Sequence, residues 1–416
     1  MIDLGGNILR FYPAVFGLAV LSISGCRANP IRLRAAIPSL PAMTTACFPS
    51  TTPEFGYVLD GHNVSMFSVN SCTGLFTPTM PASISIGITD PETDSEIVAT
   101  DPKGRFAYVA NPAPDQESQS TISMYTISPT TGVLKPTSPA SVPTGWYPQE
   151  MVIDPLGRFA YTANTRGRSI SMFTIDQLTG VLTPTRPFSI STILPGQSAS
   201  VVASLAIDPK GRFLYAPASV TTGAAVSMFT IDQSTGMLIP TSPASLPADG
   251  YLFDAKVTPD GRFLYVLNNE SDGKSTRAAW EYSINSATGM LSPIVAPGVP
   301  LVVAGSGVTS VAIDPNSRFA YVVNRASNSV SMYSINHNTG ALTLNRTQNA
   351  PDGSLSMAGA PVPFRITFDP AGKFVYVTNQ NGAVAVYTVA PDGTLVNAGT
   401  TGPIRGALSV AIAPHQ

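Results

Sequence analysis

The chain has 416 residues, of which only 12% are charged, and its net charge at pH 7 is −2. No cluster of Lys and Arg occurs along it, which argues against nucleic acid as a partner. Glycine (34 residues) and proline (38 residues) recur at fixed places, a distribution that indicates turns and not disorder.

The first 26 residues differ from the rest of the chain. Arg10 precedes an apolar run over residues 11–23, which is too short for a membrane span of roughly 17–25 residues and suits a signal peptide. Residues 23–26 (Ile-Ser-Gly-Cys) resemble a bacterial lipobox, in which Cys26 carries the lipid. We therefore predict export, with a membrane anchor at Cys26 only; the alternative is an ordinary cleaved signal in which Cys26 is incidental. Residues 27–45, with several Arg and Pro, are predicted to be a tether.

Two further cysteines, Cys47 and Cys72, fall near turns of the first repeat. In an oxidising compartment they could form a disulfide. Two small buried thiols are the alternative, and the sequence leaves the choice open.

From residue 46 onward, a tyrosine near the end of an apolar run recurs at intervals of 50 to 56 residues. The seven positions are Tyr57, Tyr108, Tyr161, Tyr215, Tyr265, Tyr321 and Tyr376. A repeat of this length indicates a supersecondary unit that buries its faces only against its neighbours.

Each repeat predicts four short antiparallel strands. In the clearest one, residues 308–344, an apolar strand leads into a turn that begins Asp314-Pro315, and a later hairpin ends at Gly340. Asp followed by Pro is typical of a type I turn, and the glycine supplies a left-handed residue. Seven such units predict an all-β, seven-bladed β-propeller over residues 46–416. Residues 408–414 are expected to complete the first blade and so close the ring.

The repeat also resembles a known family. Residues 374–379 (Phe-Val-Tyr-Val-Thr-Asn) resemble the Tyr-Val-Thr-Asn propeller repeats of bacterial and archaeal surface proteins. The longer frame, Asp-Pro-x-Gly-Arg-Phe-x-Tyr-Val-x-Asn followed by Ser-Val-Ser-Met-Tyr, is similar to the seven-bladed lactonase family, which includes 6-phosphogluconolactonase and the fungal carboxymuconate-lactonising enzymes. The resemblance covers about residues 50–414. It implies a site at one mouth of the channel, served by His, Arg and Glu.

The resemblance implies roles for Arg325, Arg365 and Glu270 in that site. Residues 146–150 (Trp-Tyr-Pro-Gln-Glu) stand where the family has a His-bearing segment, and residues 250–254 replace a Pro-Arg-His stretch. Neither segment of this chain contains histidine.

The residues that open the innermost strands form a second set of candidates, because they face the channel mouth. They are Ile97, Glu150, Ser204, Asp254, Ser310, Arg365 and Ser409. Two carboxylates and one Arg can bind a polyol or orient a water, with Arg365 holding an oxyanion, a carboxylate or a phosphate. The alternative is a solvated funnel in which one ion pair ties blades together. Trp146 is a candidate for sugar stacking or for capping a blade junction.

Other distinctive residues are predicted to be structural. The basic residue after each first turn is expected to pair with a turn Asp or with a neighbouring blade; these are Arg105, Arg158, Arg212, Arg262, Arg318 and Lys373. Glu281 replaces the methionine of the other repeats and is predicted to form a buried pair, with Lys274 or Arg277 as its partner. The three scattered histidines give no metal constellation, and no cofactor is predicted.

Two functions of different classes follow from the sequence. The first is an exported, monomeric binding module for a glycan, a lactone or a surface protein, favoured by the missing histidine and the export signal. The second is a lactone hydrolase that uses Arg325, Arg365 and Glu150 or Glu270, favoured by the family resemblance.

Overall fold

The computed structural model describes residues 53–86, 97–115, 117–192, 200–220, 223–269, 279–294, 306–345, 362–380, 382–402, 404 and 406–414. Within these ranges the secondary structure consists of strands without helices. No helix of the described chain is therefore long and apolar enough to cross a membrane.

The strands form seven antiparallel sheets, one for each repeated tyrosine, which we number blades 1 to 7 in chain order. Blade 1 contains β1 (Glu54–Leu59), β2 (Asn63–Val69) and β3 (Phe76–Ser85). Blade 2 contains β4 (Val98–Thr100), β5 (Phe106–Asn111), β6 (Thr121–Ile127) and β7 (Leu134–Pro143). Blade 3 contains β8 (Pro148–Ile153), β9 (Phe159–Asn164), β10 (Ser169–Ile175) and β11 (Leu182–Ser191). Blade 4 contains β12 (Ser200–Val202), β13 (Ala206–Ile207), β14 (Phe213–Val220), β15 (Gly223–Ile231) and β16 (Leu238–Ala248).

The remaining blades follow the same plan. Blade 5 contains β17 (Leu252–Val257), β18 (Phe263–Asn268), β19 (Ala279–Ile284) and β20 (Leu291–Pro293). Blade 6 contains β21 (Val308–Ile313), β22 (Phe319–Asn324), β23 (Ser329–Ile335) and β24 (Leu342–Leu344). Blade 7 contains β25 (Pro363–Phe368), β26 (Phe374–Asn379), β27 (Val384–Val389) and β28 (Leu395–Thr400). The last strand is β29 (Ser409–Ala413).

The predicted closure of the ring is confirmed. Strand β29 pairs antiparallel with β1, from Phe55 opposite Ala413 to Leu59 opposite Ser409. Blade 1 is therefore a four-stranded sheet in the order β29-β1-β2-β3, whose innermost strand comes from the other end of the chain. The seven-bladed, all-β prediction is confirmed with it.

The hydrophobic core lies between the blades. The described buried residues form seven clusters, and each cluster draws on two neighbouring blades. Tyr57 and Met66 of blade 1, for example, pack in the same cluster as Tyr125 of blade 2. Since neither face of a single blade is buried without its neighbours, the propeller is stable only as a ring.

The repeated tyrosines bond each blade to the next. Each hydroxyl donates to the carbonyl of the hairpin glycine in the following blade, at 2.7–3.2 Å. The acceptors, in order from Tyr57, are Gly132, Gly180, Gly236, Gly289, Gly340, Gly393 and Gly74. Burial raises the pKa of these tyrosines far above its ordinary value, so they stay protonated donors.

Basic residues on the same face confirm their predicted structural role. Arg105 pairs with Asp101 at 3.0 Å and donates to the carbonyl of Gln177 in the next blade at 2.8 Å. Arg158, Arg212 and Arg318 also pair with the Asp of their own turn. Blade 5 has Thr258 in place of that Asp, and Arg262 there donates to the carbonyl of His337 at 2.6 Å.

Glu281 occupies a position between two blades that methionine fills elsewhere. The sulfur atoms of Met66, Met124 and Met172 lie 3.1–3.3 Å from a backbone N–H of the following blade. The Oε2 atom of Glu281 lies 3.3 Å from the N–H of Leu342, and the residue is 4% exposed. The buried position of this carboxylate is as predicted; its suggested partners, residues 274 and 277, lie outside the described residues.

Blade 4 departs from the predicted pattern, because its innermost strand is interrupted. Residues 203–205, between β12 and β13, lie opposite only Ala216 and Pro217 of β14. Proline has no N–H to donate to the neighbouring strand, and the extra residue on the inner side prevents regular pairing. Ser204, predicted to open this strand, therefore lies in the gap.

Candidate active site at the channel mouth

Bulges in the innermost strands build the site. In blades 3, 5, 6 and 7 the first strand has one more residue than the second strand opposite it. The extra residue lies near the start of the first strand, next to the pair that in blade 3 is Pro148 and Asn164. The bulged positions are Gln149, the pair Phe253 and Asp254, Thr309, and the pair Phe364 and Arg365. A bulge breaks the alternation of side chains, so neighbouring residues can face the same space.

These bulges surround a small cleft at the channel mouth that is open to solvent. Its lining comes from blades 3 to 7 and consists of Gln149, Glu150, Ala203, Phe253, Asp254, Thr309 and Arg365. Three of the predicted site residues, Glu150, Asp254 and Arg365, are thus brought together.

An ion pair crosses the channel at this level. Nη1 of Arg365, from blade 7, donates to Oε2 of Glu150, from blade 3, at 2.8 Å, and Nη2 donates to the carbonyl of Gln149 at 3.3 Å. The side chains are 19% and 8% exposed, so the pair is shielded but still reached by solvent. A carboxylate and a guanidinium are therefore held together at the wall of an open cleft.

Asp254 is the second carboxylate of the cleft, and it is saturated with donors. The hydroxyls of Ser204 and Ser310 donate to it at 3.0 and 3.2 Å, and the N–H of Val311 donates at 2.9 Å. Burial by itself would raise the pKa of Asp254, but Lys256, Arg365 and the Val311 N–H together hold it below its ordinary value. Asp254 is thus a fixed negative charge and a poor proton acceptor.

Sequence reasoning missed Lys256. Its Nζ atom lies 3.2 Å from Oδ1 of Asp254, and 36% of its side chain is exposed. Burial would lower the pKa of Lys256, but Asp254 and Glu150 raise it above its ordinary value despite the opposing charge of Arg365. The sequence does contain a signal for Lys256, because it is the only charged residue at its position in the seven repeats. The residues two places after each strand opening are Ala99, Val152, Ala206, Lys256, Ala312, Thr367 and Ala411.

The three predicted serines join blades to one another. Ser204 accepts from the N–H of Ala255 at 3.2 Å, Ser310 from Ile366 at 3.4 Å, and Ser409 from Val98 at 3.5 Å. The serines are 1–4% exposed, and none is among the residues that line the cleft. A ligand-binding role for them stays a prediction.

Trp146 lies at the mouth beside the cleft and is half-buried. The Arg166 guanidinium lies 5.7 Å from the centre of its ring and 4.1 Å from that of Tyr147. The backbone of Tyr147 is left-handed, with φ of 59°, and its carbonyl accepts from the N–H of Thr165 at 2.9 Å. This non-glycine strain is typical of functional segments, although Trp146 itself does not line the cleft.

Arg325 also lies at the mouth without lining the cleft. Its guanidinium donates to Oε1 of Gln380 at 2.9 Å and lies 5.7 Å from the ring centre of Phe364. The predicted site residues Glu270 and Cys26 lie outside the described residues. No group of three or more potential metal ligands occurs in the described part of the chain.

The fold and the cleft define a seven-bladed propeller with a charged site at one mouth of its channel. The chain belongs to the family described as lactonase, 7-bladed beta-propeller, whose model matches residues 59–190 and 299–411. The resemblance noted from the sequence is thereby confirmed.

Comparison with individual proteins agrees with this family. The chain is 27% identical over 211 residues to a 6-phosphogluconolactonase of Pectobacterium carotovorum, a match that covers 46% of this chain and 61% of that protein. Among solved structures, a protein from Bacteroides uniformis has a TM-score of 0.67 at 17% identity and covers 87% of this chain and 99% of that one. The periplasmic gluconolactonase of Pseudomonas aeruginosa has a TM-score of 0.66 at 18% identity and covers 88% and 100%. These structural likenesses concern the fold alone.

Proposed function

We propose that the protein is a lactone hydrolase whose site is the cleft between blades 3 and 7. The observation that carries this proposal is the ion pair between Glu150 and Arg365, which places a carboxylate and a guanidinium in one open cleft. Family membership and the Pectobacterium relative support the same activity. The binding-module prediction is less well supported by these observations.

The proposed chemistry follows from the two side chains. Glu150 accepts a proton from a water molecule, and the oxygen of that water attacks the carbonyl carbon of the lactone. Once Glu150 is protonated its charge no longer holds Arg365, and the guanidinium then hydrogen-bonds the carbonyl oxygen as it becomes an oxyanion. The ring C–O bond then breaks, and the proton held by Glu150 passes to the departing ring oxygen. One lactone and one water give one hydroxy acid.

Asp254 and Lys256 have supporting roles in this scheme. Asp254 cannot act as the base because its oxygens already accept several hydrogen bonds. Together with Lys256 it adds one charge of each sign beside the Glu150–Arg365 pair. The charges of Glu150, Asp254, Lys256 and Arg365 sum to zero. The site therefore suits a polar, uncharged lactone ring.

The experiment measures kcat/KM of the purified full chain on a panel of five- and six-membered lactones. We expect Glu150→Gln and Arg365→Ala each to lower kcat/KM by about 100-fold or more, since one group is the base and the other stabilises the oxyanion. Glu117→Gln and Lys135→Ala remove exposed charges outside the cleft and should leave the rate unchanged. Turnover that survives both cleft substitutions would place the reaction elsewhere.

A non-catalytic binding module remains a second candidate, supported by one observation. The described residues that line the cleft include no histidine; His62 lies between β1 and β2, and His337 contacts Arg262 on the opposite face. Absence of turnover on every lactone, together with saturable binding of a sugar at the cleft, would favour this candidate.

We also propose that the protein is exported. The apolar run over residues 11–23 supports this, as does the disulfide at Cys72, whose partner lies outside the described residues. The test is cell fractionation with a Cys26→Ser variant. Loss of membrane attachment in that variant would support lipidation, whereas a cytoplasmic wild-type protein would contradict export.

A further inference from the structure

The bulge in β17 gives the cleft an apolar wall. Leu252 faces Asn268 and Ala255 faces Val266, so Phe253 and Asp254 together lie opposite the single residue Leu267. In regular alternation only one of two adjacent side chains would reach the channel mouth. Here both Phe253 and Asp254 line the cleft.

The segment that carries Phe253 is fixed by its neighbours. The N–H of Leu252 donates to the Ser219 hydroxyl at 2.7 Å, and the N–H of Tyr251 donates to Oδ1 of Asn268 at 2.8 Å. The Phe253 ring lies 6.4 Å from the ring of Tyr251, which is 38% exposed. Two aromatic side chains thus extend from the lining of the cleft toward solvent, and no rearrangement is needed to present them.

The charges of the cleft disfavour an anionic ligand. Its lining contains two carboxylates, Glu150 and Asp254, against one guanidinium, Arg365. Arg365 already donates to Glu150 and to a backbone carbonyl, and Lys256 is paired with Asp254. The two cations of the site are therefore already matched by its own two carboxylates, and a phosphate or carboxylate on the ligand would add a third negative charge beside them.

Arg166, Arg168 and Arg325, in the described loops at this mouth, do not change this balance, because none of them lines the cleft. Arg166 lies over the rings of Tyr147 and Trp146, and Arg325 contacts Gln380 and Phe364.

We infer that the cleft takes an uncharged lactone, whose apolar ring face packs against Phe253, in preference to a phosphorylated one. This inference rests on the proposed function and names its substrate class. Phe253 then acts as a specificity-determining residue, through contact area and not through charge.

The test compares glucono-δ-lactone with its 6-phosphorylated form, using the full chain and the variants Phe253→Ala, Phe253→Leu and Phe253→Arg. We expect kcat/KM of the wild type to be at least about tenfold higher on the uncharged lactone. Phe253→Ala should lower that value about tenfold, Phe253→Leu should retain most of it, and Phe253→Arg should shift the preference toward the phosphorylated substrate. A wild-type preference for the phosphorylated lactone, or a rate unaffected by Phe253→Ala, would overturn the inference.

A binding measurement separates this inference from the proposed function. Calorimetry with the corresponding δ-lactam, which resists hydrolysis, reports on the cleft whether or not the protein is an enzyme. Binding of the uncharged lactam that Phe253→Ala weakens, without lactone turnover, would refute the hydrolase proposal and leave the ligand class in place. Tighter binding of the phosphorylated lactam, or no binding of either form, would refute the ligand class itself.

Discussion

Asp254 and Glu150 are both buried carboxylates at equivalent places in their blades, yet their surroundings differ. Asp254 accepts from Ser204, Ser310, Lys256 and backbone N–H groups at 2.8–3.2 Å. Glu150 has one described side-chain partner, Arg365, on one of its two oxygens. The first arrangement holds three blades together, and the second leaves a carboxylate oxygen available for chemistry.

We predict that Asp254→Asn destabilises the fold in a pH-dependent way. The charged hydrogen bonds of Asp254 are lost, so the free energy of unfolding at pH 7 should fall by about 2 kcal/mol. Because the folded-state pKa of Asp254 is lowered, its contribution is complete above the unfolded pKa of about 4 and is lost as the pH falls below that value. Urea unfolding at pH 7 and at lower pH measures both effects.

The matched control is Asp115→Asn, which changes an exposed aspartate in a loop. Asp115→Asn should lower the free energy of unfolding at pH 7 by much less than Asp254→Asn does. An Asp254→Asn cost that stayed constant down to pH 3 would show that the charge of Asp254 is not what stabilises the blades.

Strand β19 shows how a blade tolerates one departure from its repeat. Its Glu281 accepts the N–H of Leu342, as a methionine sulfur does for the equivalent N–H between other blades. A buried carboxylate carries a desolvation cost that a thioether does not.

We therefore predict that Glu281→Met is neutral or raises the free energy of unfolding, by about 1 kcal/mol. Glu281→Gln keeps the shape of the side chain and a hydrogen-bond acceptor, so its free energy of unfolding should lie between those of the wild type and Glu281→Met. Urea unfolding of the three proteins measures this order. A loss of more than about 2 kcal/mol in Glu281→Met would instead indicate that the carboxylate is held by a strong structural pair.

The ring as a whole depends on a strand from the far end of the chain. Strand β29 is the innermost strand of blade 1, and the hydroxyl of its Ser409 accepts a hydrogen bond from the N–H of Val98 in blade 2. The hydroxyl of Tyr376 in blade 7 also donates to the carbonyl of Gly74 in blade 1, so the last blade is bonded to the first. Without β29, the edge of β1 would be open to pairing with another chain.

We predict that removal of residues 409–416 abolishes cooperative folding or lowers the free energy of unfolding by at least about 5 kcal/mol, most of what a typical domain has. Sedimentation should then show association of the truncated chain. Removal of residues 415–416 alone is the control and should have little effect. A truncated chain that stayed monomeric and fully stable would contradict the closure.

The architecture could be predicted from the sequence because it is repeated. Tyr57 and its six equivalents, and the likeness of residues 408–414 to an innermost strand, were enough to predict seven blades and their closure. The site is only partly predictable, since the alignment of the repeats identifies Glu150, Asp254 and Arg365 but not the bulges in their strands. Phe253 and Gln149 reach the cleft only because of those bulges, and a bulge depends on how two strands pair.

The central claim is most directly tested by proton release from the wild-type full chain acting on glucono-δ-lactone, followed in a pH-stat near pH 7 against the spontaneous rate. We predict enzyme-dependent, saturable acid formation that Glu150→Gln reduces by about 100-fold or more. Acid release at the spontaneous rate, or a rate equal in the wild type and Glu150→Gln, would contradict a lactone-hydrolysing site at this mouth of the channel.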